Sequence, residues 1–147
     1  MPGRDAVEFQ QLFEPLYRQC HALARRLVGN DMQAEAAATE AMARAYARWT
    51  RVRSLPHPEG WVLRMTGELA AEALDHDDRA ASELGRAVAG LAPQLRDAVV
   101  LRYLTALDVD EVALVLRMTP EAVRAAVHEG LAQLRLRVAG GAANVFA

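Results

Sequence analysis

Apolar residues recur at helical spacing along most of the chain. In the first quarter the stripe comprises Phe9, Leu12, Phe13, Leu16, Cys20, Leu23 and Leu27. Positions i, i+3, i+4 and i+7 lie on one face of an α-helix, and Gly29-Asn30 supplies a C-terminal stop. The pattern predicts an amphipathic first helix in which Cys20 is a small core residue rather than a nucleophile.

Two more helices are predicted before a polar boundary. Asp31 is the expected N-cap of the second helix, which ends near Trp49. Its inner face is predicted to consist of Ala38, Met42, Ala45, Tyr46 and Trp49. A proline-containing loop follows, and Pro58 is suited to the first turn of a third helix. The apolar stripe of that helix is Trp61, Val62, Met65 and Leu69.

The remaining sequence predicts a second, smaller set of helices. The polar stretch 75–82 is predicted to be a short acidic linker between domains at 1–74 and 83–138. Two helices then lead to Asp108 and Glu111, which have capping-box spacing. Thr119 can cap the last helix, with Pro120 at its first position, and residues 139–147 are predicted to form a flexible tail. The pattern predicts an all-α fold with two small helical domains, a three-helix bundle and a helix-turn-helix.

Composition limits the classes of function that this chain can have. A net charge of −2 lacks the basic excess of a small protein that binds DNA mainly through phosphates, so any DNA contact must be local or helped by a partner. The single cysteine cannot form an internal disulfide, and no Cys/His set has metal-ligand spacing. No apolar run approaches the length of a membrane span. We expect a cytoplasmic protein without a cofactor, a metal or enzymatic activity.

The two-turn helix, three-residue break and longer helix near the C-terminus have the geometry that places a second helix in the DNA major groove. An αα corner inside a helical bundle would give the same periodicity. Two sets of residues, which resemble those of a known family, decide between a DNA-binding helix-turn-helix and a simple αα corner. The first comprises Phe13, Leu16, Tyr17, Ala24, Leu27, residues 29–31, Ala34-Glu35, residues 40–46, 49–53 and 58–64. The second comprises residues 91–93, Arg96, residues 99–104, 111–113, Leu116, Thr119, Val123-Arg124 and residues 131–135.

With these residues in this order, the chain from Phe9 to Arg135 resembles the extracytoplasmic-function sigma factors of the sigma-70 family. The resemblance implies a regulator of bacterial transcription initiation that binds core RNA polymerase, with promoter DNA and an anti-sigma factor or other regulatory protein as further candidate partners. By position, polymerase contact would fall to Glu35, Glu40 and Arg44. Contact with the −10 promoter element would fall to Arg51, Arg53 and Arg64, and duplex reading to Arg124, Ala125 and His128.

The chain departs from this family at its DNA-contact positions. After the Trp61 motif the family usually has an Arg-Asn pair followed by basic residues, whereas this chain has Gly67-Glu68 and then an acidic stretch. Residues 61–83 hold two arginines against six carboxylates, a net charge of −4 that repels phosphate. In the last helix only Arg124 survives among the usual basic positions. Arg117 stands where the family usually has a glycine with positive φ, which predicts a strained or reshaped turn.

Three functions remain open at this point. The chain could be a competent sigma factor, a degenerate module that acts by protein contact with little or no DNA binding, or a free-standing helix-turn-helix repressor. A competent factor requires both polymerase and promoter contacts. The acidic third helix and the depleted last helix favour protein contact.

Overall fold

A computed structural model describes residues 3–76 and 82–146, and its regular elements are helices. The first half contains α1 (Arg4–Leu27), α2 (Asp31–Ala47), α3 (Trp49–Val52) and α4 (Pro58–His76). The second half contains α5 (Glu83–Ala89), α6 (Pro93–Val99), α7 (Val109–Leu116) and α8 (Pro120–Phe146), with a π-helical turn at Val100–Leu104 that extends α6. The predicted all-α class is confirmed.

The first half is a bundle of α1, α2 and α4, in which α3 forms a short corner. The inner side of α2 is lined by small side chains, namely Ala34, Ala37, Ala38, Ala41 and Ala45, with Met42 among them. Small side chains at a helix contact permit a short interaxial distance. Buried Leu23, Leu27 and Val62 fill the space opposite them.

Two predictions about α2 are wrong. The side chain of Tyr46 is 55% exposed, because it is one residue, or about 100°, beyond the centre of the alanine face at Ala45. The N-cap is Asn30 rather than Asp31, since the Asn30 side chain accepts a hydrogen bond from the Gln33 N–H at 2.8 Å. Asp31 instead pairs with Arg25 of α1 at 2.7 Å.

The helix-turn-helix is built as the sequence predicts. The Asp108 side chain accepts from the Glu111 N–H at 2.9 Å, and the Glu111 side chain accepts from the Asp108 N–H at 3.1 Å, which completes the capping box of α7. Thr119 Oγ1 accepts from the Ala122 N–H at 3.1 Å at the start of α8. Between them Arg117 has φ 56° and ψ 48°, so the left-handed turn is kept with arginine in it. The turn is therefore strained rather than reshaped.

The predicted domain limits differ from the helices observed. α4 continues through His76, and Ser82 is the N-cap of α5, so the predicted linker shrinks at both ends; residues 77–81 lie outside the described residues. The backbone of α8 remains helical through Phe146, past the predicted start of the tail at residue 139. Alanine has the highest helix propensity, and the alanines at 139, 142 and 143 offset the two glycines between them.

The two halves pack against each other around one continuous apolar core. α4 contacts α5, α6, α7 and the π-helical turn, and α1 contacts α5. At Gly60 the contact leaves no room for a side chain unless a neighbour moves, and at Gly67 it is tight. A Cβ on Gly60 would lie 2.2 Å from Cγ2 of Val115, and one on Gly67 would lie 3.2 Å from Cγ1 of Val100. The side of α4 that carries these glycines thus faces the second half of the chain, and we call this contact the seam.

Candidate polymerase and promoter surfaces

Arg64, predicted to contact the −10 element, lies in the seam. Its Nε is 3.0 Å from Glu68 Oε1 on the same helix and 3.2 Å from Asp97 Oδ2 on α6. Arg96 Nε lies 3.2 Å from the other carboxylate oxygen of Asp97. The guanidinium that would meet promoter phosphate is therefore engaged by a carboxylate from the opposite half of the chain.

Asp97 is the one charged residue among the buried residues described for the two halves, with 5% of its surface exposed. Burial raises the pKa of its carboxyl to about 6, and nearby Glu68 acts in the same direction. The guanidinium groups of Arg96 and Arg64 oppose this shift without cancelling it. Charge on Asp97 is therefore costly to the folded protein near neutral pH.

A second polar contact crosses the seam at His57. Its Nδ1 accepts a hydrogen bond from the Gly60 N–H at 2.9 Å, which begins α4. Because Nδ1 is an acceptor, the ring proton of the neutral form is on Nε2, which lies 2.8 Å from Glu111 Oε2 on α7. His57 is thus both a helix cap in the first half and a hydrogen-bond donor to the second.

The other two basic residues predicted on the −10 side differ in their surroundings. Arg53 pairs with Glu8 of α1 at 3.3 Å. Arg51 lines a cleft between α3, the loop before α4 and the α7–α8 turn, where its side chain is exposed. The structure therefore separates Arg51, Arg53 and Arg64, which the sequence analysis grouped, into three different environments.

Glu35, Glu40 and Arg44 all lie on the exposed side of α2. Glu40 and Arg44 form an ion pair at 2.9 Å, and Arg44 Nη1 also lies 3.6 Å from Met65 Sδ. Met32, a turn before Glu35, has 78% of its surface exposed, and nothing in the sequence pattern singled it out. An apolar side chain that protrudes from a charged helix face suits contact with another protein.

Arg124, Ala125 and His128 lie on the exposed side of α8, which the α7–α8 turn leaves open. Glu121 and Glu129 lie on the same side, so the surface is mixed in charge. Among the described residues no helix is long and apolar enough to cross a membrane. The same residues contain no cluster of His, Cys, Asp and Glu that could hold a metal ion.

Comparison with known proteins assigns a family to both halves. Residues 12–80 match the model of sigma-70 region 2, and residues 81–134 match the model of sigma-70 region 4. The chain is 29% identical to an RNA polymerase sigma-E factor of Streptomyces coelicolor, with 89% of this chain and 86% of the relative covered. It is 28% identical to an RNA polymerase sigma-E factor of Streptomyces avermitilis, with 92% and 87% covered.

A solved structure shares the fold. The sigma factor RpoE of Bartonella quintana, crystallised with the anti-sigma factor NepR, matches with a TM-score of 0.60 over 89% of this chain and 96% of that one, at 13% identity. That likeness supports the helical architecture alone. The region 2 model covers the helices of the first half, and the region 4 model covers those of the second half. The chain belongs to the sigma-70 family and is a transcription initiation factor of the extracytoplasmic-function type.

Proposed function

We propose that this sigma factor binds bacterial core RNA polymerase through the outer side of α2 while its promoter-opening face is closed by its own second half. The observation that carries the proposal is the difference between two helices of region 2. The outer side of α2 is exposed, whereas the α4 side that holds Arg64 packs against α6 and α7. Binding to polymerase and opening of DNA are therefore separate steps.

Glu35, Glu40 and Arg44 supply the polymerase contact, with Met32 as an apolar anchor one turn before Glu35. Glu40 and Arg44 lie one turn apart, whereas Glu35 is about 180° from Arg44 around the helix, so the contact spans the whole exposed part of α2. Charged groups around an apolar anchor orient a partner as well as adding contact area. These residues are exposed in the closed arrangement, so the first contact with polymerase requires no movement of the second half.

Promoter contact requires the seam to open. Phosphate has to displace Asp97 and Glu68 before it can bind the Arg64 guanidinium, and Arg51 lines the cleft beside Arg64. Arg53 adds a contact once it leaves Glu8. On the second half Arg124, Ala125 and His128 are already exposed and supply the duplex contact. Because this surface offers few donors, polymerase contributes much of the affinity for promoters. We place the protein in the cytoplasm, where polymerase acts, and assign it no reaction of its own.

A second candidate is favoured by the same seam. A chain whose α4 face stays closed would act by protein contact, on an anti-sigma factor or another regulator, and would not open DNA. The observation that favours this candidate is Glu68. It pairs with Arg64 on the face of α4 where the family usually has basic residues. The two candidates differ in one outcome, the production of a promoter-specific transcript.

The test is reconstitution with core RNA polymerase from the source organism. We expect the chain to comigrate with core in gel filtration, and Glu40→Arg to weaken that association at least tenfold. Glu14→Arg, a charge reversal at an exposed glutamate of α1 that also pairs with an arginine one turn later, is the matched control and should bind as the native chain does. A promoter-specific run-off transcript supports the first candidate. Association without a transcript supports the second, and failure of the native chain to bind core refutes the polymerase proposal.

A further inference from the structure

The cleft at the edge of the seam has a volume of about 510 Å³. It is lined by Arg48, Arg51 and Arg64 of the first half and Arg117 of the second, with Trp61 and His57 between them. Val52, Leu55 and Val115 form apolar parts of its wall. A volume between 300 and 1,000 Å³ with an apolar wall and a few convergent polar groups is typical of a small-molecule site.

The lining is strongly positive in a chain that is negative overall. Four arginines and no carboxylate line the cleft, whereas the whole chain has a net charge of −2. Arg64 is already paired with Glu68 and Asp97, but the guanidinium groups of Arg48, Arg51 and Arg117 have no ion pair or hydrogen bond within residues 3–76 and 82–146. Unbalanced positive charges on the wall of one cleft attract an anion.

The position of Arg117 is a further argument. It is the one residue other than glycine with positive φ in the described chain. A long side chain in the left-handed region is strained, and such strain is found preferentially at binding sites and ligand clamps. Here the strained turn places Arg117 in the lining of the cleft. Glycine at this position would relieve the backbone strain, but the cleft would then lose the positive charge that the second half contributes.

We propose that this cleft binds a small phosphorylated nucleoside, such as a nucleoside triphosphate, in the closed protein. A planar guanidinium group can donate two parallel hydrogen bonds to a phosphate group, and it can also stack on an aromatic ring. Trp61 supplies an aromatic surface for a base beside the arginines. A free nucleotide fits better than a promoter strand, because the cleft has a volume of about 510 Å³ and is bounded on one side by residues 114–117 of the second half.

The ligand would join the two halves of the chain. Its phosphates meet Arg48 and Arg51 from one side and Arg117 from the other, so it binds the closed arrangement and not the open one. A ligand that binds one of two arrangements shifts the population toward it. This consequence rests on the proposed function, since the closed arrangement withholds Arg64 from DNA.

The experiment measures binding of ATP and GTP to the full chain by isothermal titration calorimetry at low salt, without magnesium. Pyrophosphate and adenosine are the phosphate-only and base-only probes. We expect both nucleotides to bind more tightly than either fragment. Arg117→Gly should weaken binding about 10- to 100-fold, the range for loss of a charge-assisted hydrogen bond, while the protein stays folded. Arg18→Ala, an exposed arginine on α1, is the matched control and should leave affinity unchanged.

A second variant tests whether binding needs the two walls of the cleft in their present positions. Gly60→Ala places a Cβ 2.2 Å from Val115 Cγ2 and 2.8 Å from His57 Nδ1, so it displaces both walls without removing a charge and should also weaken nucleotide binding. The proposal is overturned if neither nucleotide binds, if pyrophosphate binds as tightly as they do, or if a ten-nucleotide single-stranded DNA binds and the nucleotides do not. It is also overturned if Arg117→Gly or Gly60→Ala binds as the native chain does. Core-polymerase binding without nucleotide is a separate readout, so failure here leaves the proposed function standing.

Discussion

Replacing Asp97 by asparagine should shift stability in favour of the variant, relative to the native chain, as the pH rises from 5 to 8. The carboxylate is buried between two arginines, and its pKa is raised to about 6 from an ordinary value of 3.8. Asparagine has nearly the same shape, keeps an oxygen that accepts from one of the arginines, and carries no charge. It therefore removes the cost of burying charge while keeping part of the hydrogen bonding.

The magnitude follows from proton linkage. A carboxyl whose pKa is raised on folding binds its proton more tightly in the folded state, so its stabilising contribution is present below pH 3.8 and is lost as the pH rises through 6. A shift of this size corresponds to about 3 kcal/mol in total, of which about 1 kcal/mol falls between pH 5 and pH 8. The advantage of Asp97→Asn over the native chain should grow by that amount across this range.

The assay is urea unfolding followed by circular dichroism at pH 5, 6.5 and 8 for the native chain and Asp97→Asn. Comparing the two proteins at each pH cancels the titration of every other group. Glu35→Gln, at an exposed position in the body of α2, removes one negative charge from the surface and reports the effect of net charge. A difference between native and Asp97→Asn that is constant with pH, or that shrinks toward pH 8, would refute the reasoning.

Three further variants test the turn, the seam and the capping box. Arg117→Gly relieves a left-handed conformation at φ 56°, so we expect the free energy of unfolding to rise by about 1 kcal/mol in urea titration; a decrease would contradict the strain. Gly60→Ala places a Cβ 2.2 Å from Val115, which should cost about 1–3 kcal/mol and increase the radius of gyration in small-angle scattering, whereas an unchanged radius would argue against a tight seam. Asp108→Ala removes the N-cap of α7 and should lower the free energy of unfolding by about 1 kcal/mol, and a change below a few tenths would mean that the cap is dispensable.

The local features of the second half were predictable because each rests on neighbouring residues. The capping box at Asp108 and Glu111 and the Thr119 cap follow from spacing within a few positions. The left-handed Arg117 was expected from the glycine that the family usually has there, which is also a local feature of the turn. These interactions form within one or two turns, so the sequence contains most of the information that determines them.

The seam was not predictable in the same way. Arg64 was assigned to DNA from its position in a motif, and its partner Asp97 lies 33 residues away on another helix. Periodicity gives the face of a helix but not its neighbour, so the orientation of α4 toward α6 and α7 has no local signature. Gly67 was visible as a departure and Gly60 belonged to the matching run, yet the meaning of both depends on Val100 and Val115, which only the packed structure brings near. For the same reason the cleft was not predicted, although the sequence analysis had singled out Arg51, Arg64 and Arg117 separately.

Gly67 lies where α4 meets the second half of the chain. It stands where the family usually has the arginine of an Arg-Asn pair, and a side chain there would press on Val100 across the seam. Any side chain at residue 67 would therefore displace Val100 by a few tenths of an ångström. An arginine introduced there adds positive charge to α4 and at the same time loosens its contact with the second half, so the charge of this helix and the tightness of the seam depend on one residue.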